Sequence, residues 1–217
     1  MNLETIDRPT KTGADLGWPA DVEVSAYFRA LYRRMLSHAA THAPLRAVGV
    51  TSCGRGEGVS TVAARLAIAA AEDCDHKVLL ADANYSEPSV HRTFAIDHTP
   101  GFFNVAKGSH SLGDALQPSC LSNLWVLPCG MAVADSRALE QPASPGKLLA
   151  GWSQEFPFVV VDLPHAAQLG GAVNLATELD GIVLVVDAEC TRRTQIRSAA
   201  NALAPFRLLG AVLNKRK

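Results

Sequence analysis

The chain has 217 residues, 48% of them apolar and 19% charged, with a formal net charge of −1. That length suits one α/β domain around one large core, and the composition excludes a disordered chain. The near-neutral balance argues against whole-protein attraction to nucleic acid or anionic lipid, and apolar runs as short as "GIVLVV" cannot span a bilayer.

Residues 1–20 mix Pro, Gly, Thr and charge without periodicity and read as a tail. They carry acids and no apolar h-region, so no signal peptide is expected. From there a single domain is expected over 21–217. It opens with an amphipathic helix over 22–40, where Val24, Tyr27, Phe28, Leu31, Met35 and Leu36 recur at helical spacing. "RAVGVTS" then reads as a strand, followed by a glycine loop and the alanine-rich helix "STVAARLAIAAAE". "KVLLADA" is a second apolar strand ending in an aspartate. Asn84 to Gly101 is turn-rich, "SLGDALQ" a short helix and "LWVLPCG" a strand. "PGKLLAGWSQEF" starts with proline, a good first-turn residue, and reads as a helix. "FVVVDLP", "GIVLVVD" and "LLGAVLN" are the last strands, with helices near "GGAVNLATE" and "TRRTQIRSAANALAP". Strands apolar on both faces and separated by helices predict a three-layer α/β sandwich with a mostly parallel sheet. Ligands of such sheets sit at the carboxyl ends of strands. Ser52 onward, Asp82 and Asp162 all end strands, so they are expected at one rim.

The loop Gly54-Arg55-Gly56-Glu57-Gly58 joins strand to helix, and "TSCGRGEGVST" has the spacing of a phosphate-binding loop. Glycine lets backbone N–H groups close on an anion, and the helix adds its N-terminal dipole. Ser60 and Thr61 stand where hydroxyls reach magnesium and a phosphate oxygen. The alternative is a tight turn whose helix is capped by Ser60. Val59 occupies the position of the lysine that neutralises the β/γ-phosphates. Losing even a neutral donor in such a site costs about 3–4 kcal/mol of transition-state stabilisation. Arg55 and Arg65 are the nearest substitutes in sequence, though each also reads as a solvated surface residue. Asp82 and Asp162 each follow an apolar strand, where an unpaired carboxylate is costly. They read as magnesium ligands or water-activating groups, or else as loop caps. Asn84 keeps polarity without charge. His165 and the other six histidines lack metal-ligand spacing, and the terminal "NKRK" reads as a solvated basic tail. The five cysteines form no C-x-x-C pair and are expected to be reduced.

In joint order, "TSCGRGEGVST", "KVLLADANYSEPSVHRTF", "LWVLPCG", "KLLAGWSQEFPFVVVDLPH", "DGIVLVVDAECTRRTQIRSAANAL" and "LLGAVLNKR" resemble the bacterial tyrosine kinase (BY-kinase) family. These are MinD/ParA-type P-loop proteins of capsule and exopolysaccharide synthesis. The resemblance implies a P-loop NTPase-like fold. It makes Gly54 to Thr61 the Walker A loop, Ser60 the magnesium position, Asp82 and Asp162 the Walker acids, and Asn214 the adenine contact. It implies ATP or ADP with Mg2+ as cofactor, weakened or lost here, because the loop lysine is Val59 and its proline is Arg55. The second acid of the family's D-x-D is Asn84, and "DTPP" reads "DLPH". The family's N-terminal oligomerisation helix keeps Arg29 but has Ala26 and Tyr32 at its other positions, which leaves a homo-oligomer and a self-packed helix as open alternatives. No tyrosine follows Tyr85, where family kinases carry an acceptor cluster.

The expectation is therefore a pseudokinase of polysaccharide polymerisation and export. It would be cytoplasmic, recruited to the inner membrane face by the cytoplasmic segment of a co-polymerase, and without a nucleic-acid partner. The alternatives are an active kinase or ATPase with a substitute arginine, and a ParA-like positioning ATPase.

Overall fold

The computed structural model describes residues 22–40, 44–130, 149, 151–152 and 154–215. The tail expected over 1–20, and Pro145 with its first helical turn, lie outside these residues. Seven strands form one sheet in the order β3-β4-β2-β5-β1-β6-β7. They are β1 (Ala47–Ser52), β2 (Val78–Asp82), β3 (Gln117–Pro118), β4 (Leu124–Leu127), β5 (Phe158–Asp162), β6 (Gly181–Asp187) and β7 (Leu208–Asn214). All pairings are parallel except the short β3–β4 edge.

Every residue of β1, β2, β5 and β6 is buried. Alternate side chains feed two cores, because strand side chains point to opposite faces with period two. Leu79, Ala81, Val159 and Val161 enter one core with Phe102, Trp125 and Phe156. Val78, Leu80, Phe158 and Val160 enter the other, with Leu66, Ala70 and Tyr32. Apolar residues on both faces of a strand require cover on both faces, which is why the alternation disappears from the sequence.

Helix α1 (Val22–Ala40) and α2 (Val59–Asp73) contribute to the second core. Tyr32 of α1 is 2% exposed and meets Phe158 edge-on, with ring centres 5.1 Å apart. Arg29 pairs with Glu72 at 3.2 Å, and Arg33 Nε donates to Asp73 at 3.0 Å. The aromatic face of α1 thus divides: Phe28 and Tyr32 pack on the chain itself, and Tyr27 stays exposed.

Short elements carry the rest: α3 (Val90–Phe94), α4 (Phe102–Ala106), α5 (Leu112–Ala115), a 3-10 turn (Ala166–Ala172), α6 (Val173–Ala176) and α7 (Arg193–Leu203). The five-residue α3 and α4 and the two-residue β3 fall in stretches where the periodic pattern is too short to register. All five cysteines are free. Among the described residues no helix is long and apolar enough to cross a membrane.

Candidate nucleotide site

The three strand-end motifs meet as expected. Asp82 and Asp162 are direct register partners on β2 and β5, and Val50 of β1 pairs with Asp162 on the other side. The glycine loop leaves β1 beside them and opens on a cleft of 740 Å³. A cleft of that size is in the range of small-molecule and cofactor sites. Gly54 to Thr61 line one wall; Asn84, Ser86 to Ser89, His91, Arg92, His98 and His165 line the rest.

Two left-handed glycines shape the loop, Gly56 at φ 71° and Gly58 at φ 93°. A side chain at Gly58 would also collide with the Asn214 amide. Gly58 is the N-cap of α2 and provides no side-chain cap, so the alternative of a Ser60-capped turn is not realised. The first amides of α2 are left for a ligand or water.

Val59 is the first residue of α2 and only 8% exposed. It belongs to the apolar cluster of Val62, Val185 and Val212, and no charge stands in its place. Arg55 is engaged elsewhere, its Nε 3.0 Å from Glu87 Oε1 on the opposite lip. Arg65, half-buried on α2, also has interactions of its own and does not line the cleft. The cation at the cleft wall that sequence reasoning missed is Arg92, exposed at the second position past Val90 and without an ion pair among the described residues. Its only sequence signal is a basic residue eight to ten positions after a strand-ending acid.

Asp82 and Asp162 are both fully buried, but differently held. Asp82 accepts from the N–H groups of Asn84 at 3.0 Å and of Ser89 and Val90 at 3.2 Å, so it organises the turn and the start of α3. Burial nevertheless pushes its carboxyl up to about 7, against those hydrogen bonds and the field of Arg92. Asp162 lacks a well-formed hydrogen bond on either oxygen among the described residues. Burial and the neighbouring Asp82 hold it well above the ordinary carboxylate range, with the Ser60 hydroxyl a smaller opposing influence. An orphaned buried carboxylate beside a second acid and a hydroxyl is a donor set that suits Mg2+. Ser60, Asp82 and Asp162 would hold the ion directly or through water. Bound there, Mg2+ would supply charge neutralisation to a polyphosphate. Ser60, Asp82 and Asp162 thus supply oxygen donors for such an ion, whereas a valine stands at the loop position that would meet the β/γ charge.

Asn84 is a turn residue here: its Oδ1 accepts from Ser86 Oγ at 3.0 Å and Glu87 N at 3.2 Å. His165 is partly buried and lines the cleft, away from any metal-ligand cluster among the described residues. Its Nδ1 is buried without a partner among the described residues, and burial, then the Arg55 guanidinium, pull it below the ordinary imidazole range. The basic terminus departs from expectation. Lys215 is not simply solvated: it donates to Gly56 O at 2.6 Å and pairs with Asp187 at 3.0 Å. The close run of β7 beside β6 brings it to the loop, a proximity no local pattern encodes. Asn214 Nδ2 donates to Glu57 O at 2.9 Å. Glu57 is buried, accepting from Cys53 N at 2.9 Å and Thr191 Oγ1 at 2.7 Å.

No family model matches the chain. Individual proteins do. The septum site-determining protein MinD of Pyrococcus horikoshii, solved with Mg-ADP, superposes with a TM-score of 0.62 at 24% identity, over 77% of this chain and 69% of that one. The fold is therefore that of the P-loop NTPases. The VpsO kinase domain superposes with a TM-score of 0.73 at 26% identity, covering 91% of this chain and all of that domain (100%). In sequence, the tyrosine-protein kinase YwqD of Bacillus subtilis is 33% identical over 196 residues, 85% of this chain and 78% of YwqD. The succinoglycan biosynthesis transport protein ExoP of Rhizobium meliloti is 28% identical over 175 residues, 78% of this chain but 22% of ExoP. The chain belongs to the bacterial tyrosine kinase (BY-kinase) family.

Proposed function

We propose that this chain is a BY-kinase homologue that has lost kinase chemistry and regulates capsule or exopolysaccharide polymerisation and export. The observation that carries the reading is Val59, buried at the head of α2, with Arg65 outside the cleft lining and Arg55 paired with Glu87 across it. Phosphoryl transfer relies on compensating charge that grows on the transferred group. ADP or ATP with Mg2+ then acts as a structural ligand held by Gly54 to Thr61, Asp82 and Asp162, whereas Asn214, bound to the Glu57 carbonyl and outside the cleft lining, does not face the base. Such a ligand stabilises the fold by mass action, about 2.7 kcal/mol at a hundredfold excess over Kd.

The partner is the cytoplasmic segment of a membrane polysaccharide co-polymerase, which holds the chain to the inner membrane face. Similarity to ExoP, a polysaccharide transport protein, supports this assignment. Calorimetry with Mg-ATP and Mg-ADP, combined with phosphate-release assays, tests the reading. The expected result is binding weaker than micromolar and no turnover. Micromolar binding with turnover would overturn it.

A second reading, an active kinase or ATPase, is favoured by one observation: Arg92 lines the cleft as a cation without an ion pair among the described residues. On that reading turnover is measurable and Arg92→Ala abolishes it while Arg55→Ala does not.

A further inference from the structure

The exit of β7 grips the glycine loop from behind. Lys215 Nζ donates to the carbonyl of Gly56 and Asn214 Nδ2 to the carbonyl of Glu57. These are consecutive peptide units. In a trans peptide the N–H points opposite to the carbonyl. Pinning the two carbonyls towards β7 therefore turns the N–H groups of Glu57 and Gly58 the other way. Neither N–H has a hydrogen-bond partner among the described residues, and both residues line the cleft. Successive N–H groups in such a concavity are how a backbone receives an anion.

Lys215 is itself held in an unusual state. Its φ is 57°, a left-handed conformation that non-glycine residues seldom adopt. The local cost is offset by the Gly56 contact and by Asp187, whose carboxylate also accepts from the N–H groups of Glu189 and Cys190 at 3.0 and 3.1 Å. A half-exposed Lys–Asp pair alone contributes little. The additional carbonyl contact gives this one a geometric consequence at the loop.

We propose that Lys215 and Asn214 are positioning residues that hold the glycine loop with its amides presented to the cleft before any ligand arrives. The inference rests on the reading of that loop as a phosphate cradle. It adds that the β7 exit, rather than a loop lysine, keeps the cradle formed in this chain.

Lys215→Met tests it, since the variant keeps stem length, removes the ammonium and changes a half-exposed side chain. Backbone 15N relaxation on the apo protein reads the loop directly. Order parameters of Gly56, Glu57 and Gly58 should fall from the rigid range of about 0.85 towards about 0.6. The Kd for inorganic pyrophosphate with magnesium should rise about tenfold, the scale of one charge-assisted hydrogen bond, and Lys215→Arg should restore both. Unchanged order parameters in Lys215→Met would overturn the proposal whatever the affinity does. If the wild type binds neither pyrophosphate nor Mg-ADP, yet the order parameters fall, the positioning role stands and the nucleotide reading of the cleft fails.

Discussion

Val59 decides what this cleft does with charge. Its valine side chain fills apolar space at the start of α2, where a phosphate loop would extend an ammonium over the ligand. Val59→Lys should tighten Mg-ADP binding about tenfold or more, measured by calorimetry, because one charged hydrogen bond is worth about 1.5–3 kcal/mol. It should also lower the melting temperature without ligand, since the site is 8% exposed and a lysine there starts without a partner. Gain of binding would mean that the rest of the cradle is intact. No gain would place the defect in the loop as a whole. The valine was legible in the sequence as a missing cation. Its burial in the second core, and the diversion of Arg55 to Glu87, were not, because both depend on elements distant along the chain.

At the scale of elements, the loop and its helix are fixed by a few backbone requirements. Gly58 combines φ 93° with the Asn214 amide against its α-carbon. Gly58→Ala should destabilise the fold by about 1–3 kcal/mol through backbone strain and displace Asn214 from Glu57, visible as a loss of urea midpoint without a change in slope. Helix α1 is held mainly by what it buries. Tyr32→Ala should cost about 3–5 kcal/mol, the range for large aromatic truncations in a core. The exposed ion pair of Arg29 with Glu72 should contribute under about 1 kcal/mol. The long elements were legible from periodicity and apolar runs. The short α3 and α4 and the two-residue β3 were not, because so few residues carry no period and their place is set by contacts with strand ends distant in sequence, as the Asp82 bonds to the start of α3 and the Phe102 bond to Pro128 show.

For the whole molecule, the two buried acids link stability to pH. Burial raises both carboxyls above the ordinary 3.8 that applies in the unfolded chain, Asp82 to about 7 and Asp162, with Asp82 beside it, well above the ordinary range. The stabilisation from this pair is therefore present at low pH and lost as the pH rises across that window. In EDTA, Asp162→Asn should raise the melting temperature at pH 8 by roughly 2–8 °C and change it little near pH 3.5, below the unfolded carboxylate value. Millimolar Mg2+ should raise the wild-type value at pH 8 and leave Asp162→Asn unmoved. A thermal melt series that finds equal effects at both pH values would mean that burial does not raise these carboxyls in the folded state.

The amino-acid order by itself determined the parallel α/β sheet, the glycine loop between strand and helix, and the meeting of that loop with Asp82 and Asp162. Each of these follows from local pattern and from the rule that parallel strands present their carboxyl ends together. Only the tertiary structure decided that, among the described residues, Asp82 is anchored while Asp162 is orphaned and Arg92 rather than Arg55 faces the cleft unpaired, and that Lys215 reaches the loop from 159 residues along the chain. Those outcomes depend on which strands lie side by side and how deeply their ends are buried, and neither is a property of any short stretch of chain.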